Sequence, residues 1–482
     1  MPDPLLLIDG SLTVGAAEPF AVVDPSTAEL LAEVPAASPE QLDSAVLAAA
    51  AAFPLWRDLS QPQRSEHLHS VSEAFRSRRD DLADALTRET GRPRTRNLLY
   101  VDMAADLFRQ YAEMARQVRG RVVPSNDPGQ LSLALRVPFG VVAALVPWNY
   151  PLLLMAFKVA PALATGNTVV IKPASETTLV TLLFGEIFAA CLPPGVVNIV
   201  AGSGKTIGEQ LVTHPDVDLV AFTGSTEVGV RIGGLCNQLV RPAHLELGGK
   251  DPAIVFDDVD VALAARAVVW ASFLNAGQVC TSTERVYVHE SVHDRFVDEV
   301  TAITASLVVG DPWKAATQIG PMRNERGRAK VLDQIDEAVG SGATVLTGGE
   351  TIDRPGFYLQ PTVLVGVDHE MAVMRDETFG PVMPIMAFAD EDEAVRLAAD
   401  TPYGLGASAY TSDPGRARRL YERLPVGMMW INDPVVDNLA APFGGMRASG
   451  VARELGLEGL EAFTVARHVH WNLELEHKPW WY

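Results

Sequence analysis

Three residues whose types suit acyl chemistry stand where apolar runs break off. Cys280 lies in "NAGQVCTS" (275–282), Glu246 in "LELGGK" (245–250) and Asn149 in "PWNYP" (147–151). An accessible thiol, once ionised, is a nucleophile toward an electrophilic carbon. A carboxylate in an apolar strand is costly unless paired or neutral, and desolvation raises its pKa toward that of a general base working near neutrality. A side-chain amide in a turn can donate to a developing oxyanion.

Each residue also has an ordinary reading. A lone cysteine is usually a small buried hydrophobe. That suits Cys191 and Cys236, which sit in helical apolar settings, better than Cys280, which Thr281, Ser282 and Thr283 follow. Glu246 could face water at a strand edge, but the following Gly248-Gly249 favours a close backbone approach. Asn149 could simply be a turn residue.

Two stretches suggest phosphate binding. "AGSGKT" (201–206) ends like a P-loop, but G-x-x-x-x-G-K-[ST] needs glycine at position 199, which is Ile199. A strand, "VVNIVAG", followed by a helix opening at Gly202-Ser203-Gly204 explains it better, so a nucleotide hydrolase is set aside. In "FTGSTEVG" (222–229), Gly224-Ser225 opens a helix directly after a strand, where backbone N–H groups suit a pyrophosphate. The G-x-G-x-x-G fingerprint is absent.

These stretches need elements to hold them. The chain has 482 residues, 48% hydrophobic and 21% charged, enough for two or three domains with large cores. A net charge of −21 opposes binding to nucleic acid or anionic membranes. Three cysteines without a CxxC pair argue against a disulfide framework and against a zinc site, so no metal is expected. The start, "MPDPLLLIDG", lacks a basic n-region, and no apolar stretch reaches the roughly 18 residues of a membrane span. Cytoplasmic residence is the expectation.

The first 120 residues read as mostly helical, with "SPEQLDSAVLAAAAAF" and "SEHLHSVSEAFRSRRDDLADALTRET" as the clear cases and a Ser38/Gln41 capping box. From about 140, apolar strands alternate with helices at 178–191, 205–213 and 226–236, and again from 252 onward with helices at 260–274 and 292–308. That is the pattern of βαβ units around parallel sheets. The aromatic tail "HVHWNLELEHKPWWY" reads as an edge strand or the cover of a subunit interface.

Together the stretches resemble the aldehyde dehydrogenase superfamily, in its non-acylating, NAD(P)-dependent branch. "LELGGK" with a Gly-Gln-x-Cys stretch about thirty residues on carries the likeness, and "PWNYP", "FTGST", "ETFGP" (377–381) and "PFGGMRASG" (442–450) follow in family order. The resemblance implies an α/β fold: a Rossmann-like cofactor domain (1–119 and 139–248), a second α/β catalytic domain (249–448) and a small β oligomerisation element (120–138 and 464–482). It implies a homodimer or homotetramer.

It makes Cys280 the nucleophile, Asn149 with the Cys280 N–H the oxyanion hole, and Glu246 the base that activates water against the thioester. Trp148, Lys172, Ser175, Gly224, Ser225, Glu377 and Phe379 would contact the cofactor. Ser175 stands where many NAD-preferring relatives carry a glutamate, so NADP should be tolerated beside NAD. Glu246 favours hydrolysis over transfer to coenzyme A. Tyr150, Leu154, Phe157, Val279, Thr281 and Phe443 would line the substrate tunnel, with Glu113 and Asp437 near its mouth. Two acids beside aromatics suit a cationic aldehyde, a betaine or amino aldehyde. The alternatives are an aromatic or medium-chain aliphatic aldehyde and a non-catalytic cofactor-binding relative. No arginine stands among these lining positions, which disfavours a carboxylated semialdehyde.

Overall fold

The computed structural model describes residues 3–482. Its first large sheet has the order Ala243–Glu246, Leu219–Thr223, Val141–Val146, Thr168–Pro173, Val197–Ile199, Leu6–Ile8, Ser11–Thr13. The five strands from 141 onward are mutually parallel, and the two N-terminal strands join antiparallel. Val141–Val146, Thr168–Pro173 and Leu219–Thr223 are buried along their whole length. Their β-branched, unbroken apolar character is what a sheet covered on both faces requires. Chain order reverses between Val141–Val146 and Leu219–Thr223, and ligands of open parallel sheets gather beyond the carboxyl ends at such a reversal. "PWNYP" follows the first of these strands and Gly224-Ser225 the second.

The second large sheet runs Thr344–Thr347, Thr362–Val365, Val382–Phe388, Thr283–His289, Asp251–Val255, Gly406–Tyr410, Met428–Ile431. All its pairings are parallel except that of Thr344–Thr347 with Thr362–Val365. Each large sheet has its own hydrophobic core. The loop at 449–451 crosses back and bonds to the edge strand of the first sheet: Leu247 N–H donates to Ser449 O (3.0 Å) and Val451 N–H to Leu245 O (3.1 Å). Glu246 is thereby gripped from both sides of its strand. A smaller antiparallel sheet joins Thr464–Asn472, Gln130–Pro138 and Arg121–Val123.

Several expectations hold in detail. Helix Pro39–Arg57 starts on the Ser38/Gln41 capping box, and Ala49 and Ala52 face the core. Helix Thr178–Cys191 has its expected bounds.

Others are corrected. The N-terminal region is not helical before residue 39. It holds four strands, of which Ala17–Val23 and Leu30–Ala36 form a hairpin sheet of their own. The long helical pattern at 65–90 breaks at Arg78 into Gln61–Ser77 and Arg79–Thr90. The stretch 205–213 opens with a π-helical turn, Gly204–Gly208, before Glu209–Thr213 becomes α-helical. In the tail, pairing ends at Asn472, and Trp480, Trp481 and Tyr482 are exposed beyond it.

Candidate active site

Helix Val261–Phe273 ends in a turn where Asn275 (φ +53°), Ala276 (φ +56°) and Gly277 (φ +70°) are all left-handed. Such a run is costly outside glycine and is kept only where the surroundings enforce it. Here it throws the chain back so that Val279, Cys280 and Thr281 emerge between the two sheets. Any side chain at 277 would collide with Gly380 O at 2.1 Å, so that position requires glycine for space as well. Cys280 remains half-buried. Among the described residues its N–H has no acceptor and stays available. Burial first, then the carboxylates of Glu246, Asp251, Asp437 and Glu377, push the thiol well above its ordinary pKa. At neutral pH it is a neutral thiol that needs a base to become nucleophilic.

Glu246 can be that base. It is 1% exposed, and neither carboxylate oxygen has a hydrogen-bond partner among the described residues. Burial raises its pKa strongly, Glu454 raises it further, and Lys158 and Arg453 oppose the rise. So Glu246 is not the isolated carboxylate that its apolar strand suggests. Lys158, wholly buried, donates from Nζ to Glu454 Oε1 (2.5 Å) and to Thr223 Oγ1 (2.5 Å). Thr223 is the cross-strand partner of Glu246. The cluster escaped the sequence reading, although one lysine in the otherwise apolar "PLLLMAFKVAPALAT" was a visible signal.

Asn149 is buried, and its Nδ2 donates to Gln278 O at 3.2 Å. The side-chain amide is thus tied to the cysteine turn, with its second N–H left over. A turn-only role for Asn149 does not account for this tertiary bond.

The cofactor candidates gather round the reversal point. Ser225 caps helix Thr226–Gln238, taking Val228 N–H on its Oγ. The Gly224 N–H is already spent on Glu246 O (3.1 Å), so the free amides at this helix start lie beyond Gly224. A Cβ at 224 would meet the Phe222 ring at 2.4 Å. Lys172 is buried, and its ammonium donates to Pro173 O at 2.6 Å. Burial lowers its pKa to about 8 against the opposing pull of Glu176. Ser175 Oγ donates to Gly202 O (3.4 Å), tying the "KPAS" segment to the "AGSGKT" loop.

On the opposite wall Glu284 takes the N–H groups of Thr378 (2.7 Å) and Phe379 (2.8 Å), holding Phe379 at φ +53°. The Phe379 ring meets Trp148 edge-on at 5.4 Å. Glu377 Oε1 accepts from Gly249 N–H (3.1 Å), and burial with neighbouring Glu284 pushes its pKa up to about 7. Free helix-start amides, a buried ammonium and a fixed carboxylate fit the pyrophosphate and ribose groups of a dinucleotide.

Tyr150, Leu154, Phe157, Val279, Thr281 and Phe443 are all buried, and Phe157 meets Phe443 at 5.9 Å. Asp437 is half-buried, its pKa raised to about 6 by burial. Glu113 is exposed on helix Arg94–Met114, one turn past Gln110, which donates to Leu439 O. Only one of the two acids is therefore set into the protein. An arginine does stand behind this wall: Arg92 lies over the Tyr150 ring at 3.9 Å.

Residues 13–469 match the family model "Aldehyde dehydrogenase family". The chain is 39% identical over 482 residues to aldehyde dehydrogenase family 2 member B4 of Arabidopsis thaliana, covering 99% of this chain and 89% of that one. It is 36% identical over 465 residues to an NADP(+) succinate-semialdehyde dehydrogenase of Escherichia coli, covering 96% of each. The crystal structure of betaine aldehyde dehydrogenase from Staphylococcus aureus with NAD+ superposes with TM-score 0.97 at 33% identity, over 99% of this chain and 96% of that one. The chain belongs to the aldehyde dehydrogenase family, and it is an NAD(P)-dependent oxidoreductase that acts on aldehydes.

Proposed function

We propose that Cys280, Glu246 and Asn149 carry the reaction. The observation behind this is the buried, unpartnered carboxylate of Glu246, placed where its charge acts on the Cys280 thiol. Glu246 takes the thiol proton as Sγ bonds to the aldehyde carbon. The free N–H of Asn149 and the backbone N–H of Cys280 receive the oxyanion. NAD(P)+ supplies the hydride acceptor when bound. Glu246 releases that proton to solvent, and the Cys280 thioester is then attacked by water, which gives a proton to the freed carboxylate for return to the departing sulfur. The C–S bond breaks, the carboxylic acid leaves and the thiol is restored. The sum is RCHO + NAD(P)+ + H2O → RCOOH + NAD(P)H + H+. Cys280→Ala should abolish turnover and leave cofactor binding, read by fluorescence quenching, intact. Turnover in that variant overturns the assignment.

For the cofactor we assign the pyrophosphate to the helix start after Gly224 and Ser225, and the adenosine ribose to Lys172 and Ser175. Glu377, Phe379 and Trp148 hold the nicotinamide end. For substrate we assign an aldehyde with a cationic head, such as a betaine or amino aldehyde. The support is Asp437, whose charge is felt at Cys280, and the aromatic pair Phe157–Phe443. Asp437→Asn should cut kcat/KM for betaine aldehyde about tenfold, the worth of one lost charge contact, and leave hexanal unchanged. Equal effects on both would favour a medium-chain or aromatic aldehyde. The sheet of Arg121–Val123, Gln130–Pro138 and Thr464–Asn472, with the apolar residues beyond it, is the surface on which a homodimer or homotetramer would form. No helix among the described residues is long and apolar enough to cross a membrane, and a cytoplasmic location is our reading.

A further inference from the structure

Arg92 is 2% exposed, yet its acceptors are amide oxygens rather than carboxylates. Its Nη2 donates to Asn149 O, its Nε to Asn275 Oδ1 (3.1 Å) and its Nη1 to Asn97 Oδ1 (3.3 Å). The guanidinium is stacked over the rings of Tyr150 (3.9 Å) and Tyr100 (4.7 Å), which pack edge-on at 4.9 Å. A buried cation without a countercharge is costly and persists only where many donors and ring faces compensate it.

The bonds close a ring. Asn275 Nδ2 donates to Gln278 O (3.1 Å), and Asn149 Nδ2 donates to the same oxygen (3.2 Å). From Arg92 the path runs through Asn275 to Gln278 O, back through the Asn149 side chain, and returns by Asn149 O to Arg92. Gln278 is itself fixed: its Nε2 donates to Asn275 O (3.0 Å) and its Oε1 accepts from Arg323 N–H (2.8 Å). Asn149 is therefore held by its backbone and by one of its two amide protons. The other proton has a single direction left to it.

We infer that Arg92 is a positioning residue for the oxidation: the Arg92–Asn275–Gln278–Asn149 ring aims the second Asn149 N–H at the oxyanion and locks that amide to the turn carrying Cys280. This rests on the roles proposed above for Asn149 and Cys280. The guanidinium also occupies ring faces of Tyr150 and Tyr100, so those faces are not the ones that receive a cationic substrate.

The test compares Arg92→Lys, Asn275→Gly and Asn149→Ala, alone and combined, with folding followed by thermal denaturation. Losing one oxyanion donor lowers kcat about 100-fold or more, and misaiming it costs a comparable factor. Arg92→Lys should lower kcat at least about tenfold, with KM for the cofactor within about twofold. Asn275→Gly relieves the left-handed strain while opening the ring. It should lose kcat as well, whereas a purely conformational role for Asn275 would leave kcat intact or raised. In the Asn149→Ala background the same changes should cost less than about threefold, because coupled residues are not additive. Additive losses, or a full kcat in a folded Asn275→Gly enzyme, overturn the ring. Full activity in Asn149→Ala alone would instead refute the Asn149 assignment on which the ring depends.

Discussion

Replacing Glu454 by Gln removes one charge from the buried cluster beside Glu246 and leaves its volume. Glu454 is linked to Glu246 through Lys158 and Thr223. Glu454 Oε1 and Thr223 Oγ1 both lie 2.5 Å from Lys158 Nζ. Thr223 neighbours Glu246 across adjacent strands, which are spaced about 4.8 Å apart. At a carboxylate separation on the order of 7 Å and an effective dielectric of about 20, two like charges repel by about 2.4 kcal/mol. That is roughly 1.7 pKa units. Glu454 is the largest charge raising Glu246, ahead of the opposing Lys158. Its removal therefore lowers the Glu246 pKa.

The assay is kcat against pH from 5.5 to 9.5 at saturating cofactor and aldehyde. With Glu246 as the proposed base, active when ionised, kcat rises with pH through its pKa. The variant's acid limb should move down by about one to two pH units. The stability loss from stranding Lys158 should be about 3–5 kcal/mol, read by denaturation. An unmoved limb, or one displaced to higher pH in a folded variant, would show that Glu454 does not tune the base.

Further outcomes follow from the cofactor wall. In Gly248→Ala the new Cβ would stand 2.7 Å from Glu377 Oε2 and 2.8 Å from Oε1. The carboxylate must retreat by about 0.7 Å, and since a 1 Å misplacement can cost about 100-fold, kcat/KM for the cofactor should fall about tenfold or more with little change in melting temperature. Lys172, with its pKa near 8, should bind a 2′-phosphate only while protonated. Its charge is present below that pH and lost above it, so KM for NADP should climb from pH 8 to 9.5 while KM for NAD stays comparatively flat. Parallel curves would remove Lys172 from phosphate recognition.

The sequence made legible the segments whose chemistry is local. The parallel strands are continuous apolar runs, the Ser38/Gln41 cap lies within four residues, and the stretches holding Asn149, Gly224, Glu246 and Cys280 all sit at strand or helix ends. What was hidden is long-range or conformational. Lys158 and Glu454 are 296 positions apart, and nothing near Glu454 announces a buried partner. Arg92 meets Asn275 across 183 positions, in a turn whose left-handed residues include an alanine that no propensity rule would place there. The N-terminal strands were masked because Leu6–Ile8 is only three residues long and takes its stability from a sheet built more than a hundred residues later. Glu113, placed near the tunnel mouth by family position, is exposed on its helix.

The central claim is that Cys280 becomes acylated and Glu246 brings the water that frees it. The direct measurement is the intact and peptide mass of Glu246→Gln after mixing with aldehyde and NAD(P)+, alongside the NAD(P)H released in the first turnover. The expected result is an acyl adduct on Cys280 alone, formed more slowly than in the parent enzyme because the amide cannot take the thiol proton, with NAD(P)H at up to one equivalent and no steady state beyond it. Sustained turnover with no adduct, or an adduct on Cys191 or Cys236, would contradict it.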